Sequence, residues 1–275
     1  MIGERFRIDA LIGRGASAEV YRALDARTQA FVALKILRHQ LVADAAAQAR
    51  FAREAEVQAK LRHRNVAALL ATGVTDEQEP YLALELLRGT SLRSALKSDG
   101  AVGARRAASY AFQALHGLAA VHAAGVLHRD LKPANIMLEP SPGPIDRIVL
   151  IDFGFATFQG SAKLTLQGTV VGSLAYIAPE RLRGDAIDHR ADLYAIGVIL
   201  FELLAGEPPF RADDDLDLID LHLNAPAPSV RARDAAIPEA IDRVLARALE
   251  KSPDDRFADA LEMAAALERA AQQLA

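Results

Sequence analysis

Over the first 90 residues the chain alternates between apolar and polar positions in short stretches, the pattern of half-buried strands. Arg7-Ile8-Asp9-Ala10-Leu11-Ile12 runs into a glycine turn, and Glu19-Val20-Tyr21-Arg22-Ala23-Leu24 alternates after it. Phe31 to Leu37 and Pro80 to Leu87 predict two further strands. Between them, Asp44 to Arg62 is rich in Ala, Arg and Glu and predicts a helix. From Ser91 onward helical spacing takes over, with long helices expected over about Ala104–Ala124, Asp192–Ala205, Ile237–Glu250 and Phe257–Leu274. The pattern changes at Arg88-Gly89-Thr90, a turn after the last N-terminal strand. The pattern as a whole predicts a small, mostly β part followed by a larger, mostly α part.

Composition narrows the function classes. With 275 residues, 51% hydrophobic and 25% charged, the chain can bury a core as one large domain or two lobes. A net charge of −4 supplies no basic field for nucleic acid or an acidic membrane surface, so no nucleic-acid partner is expected. The absence of cysteine excludes disulfides, thiolate chemistry and cysteine-ligated metals, and fits a reducing compartment. The N-terminus has no signal-like apolar stretch, and the longest apolar run, Leu193 to Phe201, is too short to span a bilayer. The expectation is a soluble cytoplasmic chain without a membrane segment. Only six of its 32 basic residues are lysines, at positions 35, 60, 97, 132, 163 and 251. Lysine is a point charge where arginine is a planar fork, and two of the six fall in the motifs below.

Gly13-Arg14-Gly15-Ala16-Ser17-Ala18-Glu19-Val20 lies between two predicted strands. Glycines there let backbone N–H groups approach phosphate oxygens, although a Gly-x-Gly turn alone is also an ordinary hairpin. Lys35 sits within the apolar strand Val32-Ala33-Leu34-Lys35 and needs an anion or a route to solvent. On the following helix, Phe51, Glu54, Ala55, Gln58 and Leu61 share a face, so Glu54 is either that anion or a solvated carboxylate. His128-Arg129-Asp130-Leu131-Lys132-Pro133-Ala134-Asn135 packs an acid, two cations and an amide into eight residues. In an extended loop Asp130 can address a hydroxyl proton while the Asn135 carbonyl oxygen holds a cation. Asp152 follows the apolar run Ile148 to Ile151 and would complete a pair of oxygen ligands suited to Mg²⁺.

Together, in this order, these strings resemble the Hanks-type (eukaryotic-like) bacterial serine/threonine protein kinases, over about Phe6 to Leu267. The resemblance implies an α+β, bilobal protein-kinase fold spanning 1–275 as one domain. Its N-lobe, about 1–88, would be a small antiparallel sheet with one key helix, and its C-lobe, about 89–275, larger and mostly α. It further implies ATP with Mg²⁺ or Mn²⁺, protein substrates bearing Ser or Thr, and a transient homodimer for autophosphorylation in trans. Ile12, Gly13, Gly15, Val20, Ala33 and Leu84 would surround the nucleotide, and the backbone of Glu85 and Leu87 would bond adenine. Lys35 would hold phosphates and pair with Glu54. Asp130 would be the catalytic base, Lys132 would steady the γ-phosphate, and Asn135 and Asp152 would hold the metal. A lysine at position 132 is similar to serine/threonine rather than tyrosine kinases. Gly172 to Glu180 resembles a peptide-docking loop, which speaks against a small-molecule kinase. Its Glu180 would pair with Arg256, and Asp192 would hold the catalytic-loop backbone.

Four positions depart from the family pattern. Ala18 replaces a glycine, Ser173 a threonine, and Ser141-Pro142-Gly143-Pro144 lengthens the interval before Asp152. Gln58 stands where an apolar residue is usual, and either its polarity loosens the packing toward Phe153 or the helix turns it outward. All six principal polar positions carry competent side chains, which favours an active enzyme over a pseudokinase scaffold. Arg129 would receive a phosphate from the segment between Asp152 and Glu180, where Thr165 and Thr169 are the acceptors and Ser173 is reserved for the catalytic site. Mass spectrometry before and after ATP is expected to find phosphate on Thr165 or Thr169. Absence of both in an active enzyme, with the Thr165→Ala/Thr169→Ala variant fully active, would exclude this switch.

Overall fold

The structure is a computed structural model that describes residues 2, 4–153 and 174–274. The chain divides into two compact units, one running to Arg88 and the other beginning at Gly89.

The N-terminal unit is built on five antiparallel strands, β1 (Phe6–Arg14), β2 (Ala18–Asp25), β3 (Ala30–Leu37), β4 (Leu69–Val74) and β5 (Pro80–Glu85), in the order β1-β2-β3-β5-β4. Register sorts its side chains onto two faces, because residues opposite one another in a ladder share a face. One face carries Phe6, Ala23, Val32, Leu34, Tyr81 and Ala83, which form a buried cluster. The other carries Ala18, Leu37 and Leu82, covered by Ala47 and Phe51 of helix α1 (Ala45–Lys60). Asp44 starts that helix by accepting hydrogen bonds from the Ala46 and Ala47 N–H groups. β5 ends at Glu85, two residues earlier than its apolar run. β4 has no strand-like signal because Gly73 interrupts it. That glycine is required by packing, since a Cβ there would lie 2.5 Å from the Tyr81 hydroxyl oxygen. Tyr81 in turn meets Phe6 edge-on, with ring centroids 5.5 Å apart.

The C-terminal unit packs around helices α3 (Ala104–Ala123) and α5 (Arg190–Ala205), preceded by α2 (Leu92–Asp99). From Asp192 to Leu204 every residue of α5 is buried, which explains why this helix is apolar all round apart from Asp192 and Glu202. Strands β6 (Thr90–Ser91), β7 (Ile136–Glu139) and β8 (Arg147–Leu150) form a three-stranded sheet, and α4 (Pro179–Arg183), α6 (Asp215–Asn224), α7 (Glu239–Ala248) and α8 (Ala260–Ala271) complete the unit. The last two helices are shorter than their apolar patterns. Pro238 is the N-cap of α7, a 3₁₀ turn occupies Pro253–Asp255, and the Asp259 carboxylate caps α8 through the Glu262 N–H. Among the described residues, no helix is long and apolar enough to cross a membrane.

The start of β1 is tied to the end of β2 by a bidentate ion pair. Arg5 Nε and Nη2 donate to Asp25 at 3.1 and 2.7 Å, and the Arg27 N–H donates to the same carboxylate at 2.9 Å. The Arg5 hydrogen bond leads in holding the Asp25 pKa down at about 2, against the opposing push of burial. A depressed carboxyl pKa contributes stability above the unfolded pKa, and that contribution disappears as pH falls through the folded value. Urea denaturation between pH 5 and pH 2 is expected to show a larger acid-induced loss for wild type than for Asp25→Asn. Equal pH slopes for the two proteins would refute the role of this pair.

Candidate functional site

In the N-terminal unit, register places most of the predicted nucleotide residues together. Val20 lies opposite Lys35 and Gly13, and Ala33 lies opposite Leu84, so Gly13, Val20, Ala33, Lys35 and Leu84 share the sheet face on which α1 packs. The turn before β2 closes through the Gly15 N–H, which donates to the Ala18 carbonyl at 2.9 Å. Ile12 on β1 is half exposed, at 51%. Lys35 Nζ donates to Glu54 Oε1 at 2.6 Å, and the two side chains are only 12% and 10% exposed. The strand lysine therefore has the helix carboxylate as its anion, and neither runs out to solvent. The Glu85 N–H donates to the Ala68 carbonyl at 2.9 Å, so of the two backbone groups at this residue the N–H is committed within the sheet. Leu87 lies just beyond β5 and is partly buried.

The C-terminal unit assembles the second cluster around a hairpin. β7 and β8 pair Ile136 with Leu150, and the Ile151 N–H donates to the Asn135 carbonyl at 3.0 Å. The ladder brings Asn135 and Asp152 to the same end of the hairpin although the sequence separates them. Asn135 belongs to a 3₁₀ turn, Pro133–Asn135, rather than to an extended loop. Its Nδ2 donates to the Asp130 carbonyl at 2.8 Å and to Asp130 Oδ2 at 2.9 Å, so its amide oxygen is the atom left to face a cation. Lys132 Nζ donates to both Asp130 oxygens, at 3.0 and 2.8 Å. Asp130 is thus held between an ammonium and an amide, with its side chain 36% exposed.

Behind this cluster lies a buried carboxylate. Asp192 Oδ2 accepts from the His128 N–H and from His122 Nε2, both at 2.8 Å, while Oδ1 accepts from the Arg129 N–H at 2.9 Å. Burial pushes the Asp192 pKa up, but the His122 hydrogen bond, nearby positive charge and the backbone donor outweigh it, and the net shift is downward. The bonds fix Arg129 at φ +66°, and Asp152 at φ +51° is also left-handed, both unusual for residues with a Cβ. Strain of this kind persists only where surrounding contacts over-determine it. His128 is fully buried, and burial lowers its pKa, so it is a neutral ring packed 4.9 Å from Phe153.

The Glu180–Arg256 pair is formed and enclosed. Arg256 Nη1 and Nη2 donate to the two Glu180 oxygens at 2.8 and 2.7 Å, with 0% and 3% side-chain exposure. Arg256 also donates to the carbonyls of Glu250, Arg190 and Lys251. Gln58 does not turn outward: it is 1% exposed and its Nε2 donates to the Ala67 carbonyl at 3.1 Å, while Oε1 has no partner among the described residues. Thr165, Thr169 and Ser173 lie outside the described residues. Three contacts carry no local sequence signal. His122 reaches Asp192, Arg181 Nη1 donates to the Arg129 carbonyl, and Tyr176 OH donates to Glu202 Oε2 at 2.5 Å. Burial pushes the Glu202 carboxyl up, and Arg93 Nη1 stands 3.5 Å from it. All three link residues at least 26 positions apart, so only the tertiary fold reveals them.

Comparison with known proteins agrees with this geometry. The family model described as "protein kinase domain" matches residues 6–269. The serine/threonine-protein kinase pkn3 of Myxococcus xanthus is 39% identical over 265 residues, 94% of this chain and 48% of that protein. PknH of Mycobacterium bovis is 38% identical over 96% of this chain and 44% of its own length, and PknL of Mycobacterium tuberculosis is 35% identical over 100% and 68%. The chain therefore spans about half the length of the first of these relatives. The crystal structure of the Mycobacterium tuberculosis PknI kinase domain superposes with a TM-score of 0.73 at 27% identity, covering 98% of this chain and 97% of that one.

The enclosed Glu180–Arg256 pair makes a stability prediction. Arg256→Met strands a buried carboxylate and is expected to cost about 3–5 kcal/mol in urea denaturation. Glu180→Leu added to Arg256→Met removes the stranded charge and is expected to recover part of that loss. A single variant as stable as wild type would show that the pair carries no such burden.

Proposed function

The chain belongs to the protein kinase domain family, with bacterial serine/threonine kinases as its relatives, and from that premise we propose that it transfers the γ-phosphoryl group of ATP to serine and threonine hydroxyls of proteins. The observation that carries the reading is the Asp130 cluster, a carboxylate held between Lys132 and Asn135 beside the hairpin end that bears Asp152.

The family uses ATP with a divalent cation. The donor set fits a hard cation, because the Asn135 amide oxygen and the Asp152 carboxylate are oxygen ligands of the kind Mg²⁺ takes while keeping waters. We assign Mg²⁺, with Mn²⁺ as an acceptable substitute. The metal would neutralise charge developing on the phosphate oxygens. The rest of the work falls to the chain's own side chains. Lys35, oriented by Glu54, binds phosphate oxygens as a point charge. Asp130 accepts the proton of the acceptor hydroxyl and orients that oxygen for in-line attack. Lys132, already beside Asp130, supplies positive charge where the transferred group passes. Gly13, Gly15 and Val20 cover the nucleotide, with Ile12, Ala33 and Leu84 against the base and the Glu85 carbonyl and Leu87 backbone as its hydrogen-bonding edge. Arg129 is the receiver of a phosphate on Thr165 or Thr169, placed there by a second copy of the chain. We place the reaction in the cytoplasm, where ATP and reduced proteins are found.

Two variants test the assignment with labelled ATP, Mg²⁺ and a generic protein acceptor. Asp130→Asn is expected to lower turnover by about 10²–10⁴-fold while leaving ATP affinity nearly unchanged. Lys35→Met, which also strands the Glu54 carboxylate, is expected to lower activity far more than it lowers thermal stability. Phosphotyrosine in the product, or retained turnover in Asp130→Asn, would overturn the reading.

A further inference from the structure

Away from these clusters, a second group of ligand-type side chains converges on the N-terminal unit. His39 lies in the 3₁₀ turn His39–Leu41 that follows β3, and Glu77 and Glu79 lie in the turn between β4 and β5. One ligand atom from each of the three lies within 4.8 Å of the other two. His39 Nδ1 is already 3.2 Å from Glu79 Oε1. Glu79 is oriented from behind, since Thr75 Oγ1, itself buried, donates to Glu79 Oε2 at 3.4 Å. The group opens onto a cavity of about 500 Å³. Two arginines also line that cavity: Arg14 stands 3.1 Å from Glu19, and among the described residues Arg38 forms no ion pair with Glu77 or Glu79. Among the described residues Glu77 has no ion-pair partner, and its carboxylate lies within 4.8 Å of the ligand atoms of His39 and Glu79.

We propose that His39, Glu77 and Glu79 form a binding site for a transition-metal dication, Zn²⁺ foremost, separate from the nucleotide metal. Imidazole and carboxylate are both Zn²⁺ ligands, at about 2.0–2.2 Å, and tetrahedral bonds of that length put donor atoms about 3.4 Å apart. The His39–Glu79 separation meets that spacing, and Glu77 reaches it by rotation of an exposed side chain. Three protein ligands leave the fourth position to water from the cavity. Two carboxylates and a neutral imidazole balance the charge of a dication. The three ligands come from chain segments about forty residues apart, so the metal would fasten the connection from β3 into α1 to the β4–β5 turn. Such a clasp binds the folded state and not the unfolded one, and so raises thermal stability.

The test uses Zn²⁺ itself on the full chain, by calorimetric titration and thermal melting after chelator treatment. One saturable site is expected, with a rise in melting temperature. His39→Gln and Glu77→Gln, both at exposed positions, are expected to weaken Zn²⁺ by at least about tenfold and to remove the thermal rise. Asp152→Asn should leave both intact, and Co²⁺ in place of Zn²⁺ should give a tetrahedral visible spectrum that His39→Gln loses. Absence of a saturable Zn²⁺ site would overturn the proposal. So would a site abolished by Asp152→Asn but untouched by His39→Gln, which would make it the nucleotide metal position.

Discussion

The C-terminal cluster depends on one buried carboxylate. Asp192 stands at the first turn of α5, and its two oxygens gather the N–H groups of His128 and Arg129 together with a nitrogen of His122. Without those acceptors both backbone donors would lose their partner, and the buried His128 N–H alone would cost about 1–3 kcal/mol. With them, Arg129 is held in a left-handed conformation that an arginine would not otherwise keep. The turn that this conformation imposes sets the direction in which the next residue, Asp130, leaves the backbone. The position of Asp130 therefore rests on Asp192, anchored in the most deeply buried helix of its unit.

The same reasoning explains why Asn135 and Asp152 stand at the same end of the hairpin. A β-hairpin converts separation along the chain into adjacency across a ladder, so Asn135 and Asp152 come together because Ile136 pairs with Leu150. The extra residues around Ser141-Pro142-Gly143-Pro144 lie at the far end, where Ser141 Oγ donates to the Ile145 carbonyl at 2.6 Å and closes the loop on itself. Lengthening a turn leaves the register beyond it unchanged. This insertion is accommodated without disturbing Asn135 or Asp152.

Much of the fold and several of the polar pairings, Lys35–Glu54 and Glu180–Arg256 among them, could be read from the chain, and the exceptions have physical causes. β1, β2, β3 and β5 announce themselves because one face of each must be apolar. β4 does not, since the demand on Gly73 comes from the ring of Tyr81 on the neighbouring strand. Helix α6 is disguised: Asp215-Leu216-Asp217-Leu218 alternates as a strand would, and what makes it helical is the Asp214 cap on the Leu216 and Asp217 N–H groups. Glu54 and Lys35 were each ambiguous alone, as a surface residue or one half of a pair, and only the 2.6 Å contact decides between them. His122 and Arg181 could not be singled out at all. Their partners are 70 and 52 residues away, and no spacing rule connects them.

The two principal ion pairs show how the same chemistry serves different ends. Arg256 and Glu180 are joined by two parallel hydrogen bonds, and three carbonyls take the remaining guanidinium protons. Every donor is satisfied and water is excluded, so separating the charges would expose each to a large desolvation penalty. Such a contact suits a permanent fastening. Lys35 and Glu54 meet through a charge-assisted bond of 2.6 Å, each retaining about a tenth of its side-chain exposure. An ammonium is a compact point charge and makes no planar fork with a carboxylate, so this contact lacks the two-pronged geometry of the Arg256 pair. Arginine at position 35 would lock onto the carboxylate and lengthen the reach. In a chain where arginine is the usual basic residue, lysine at this position makes its contact as a point charge rather than as a planar fork.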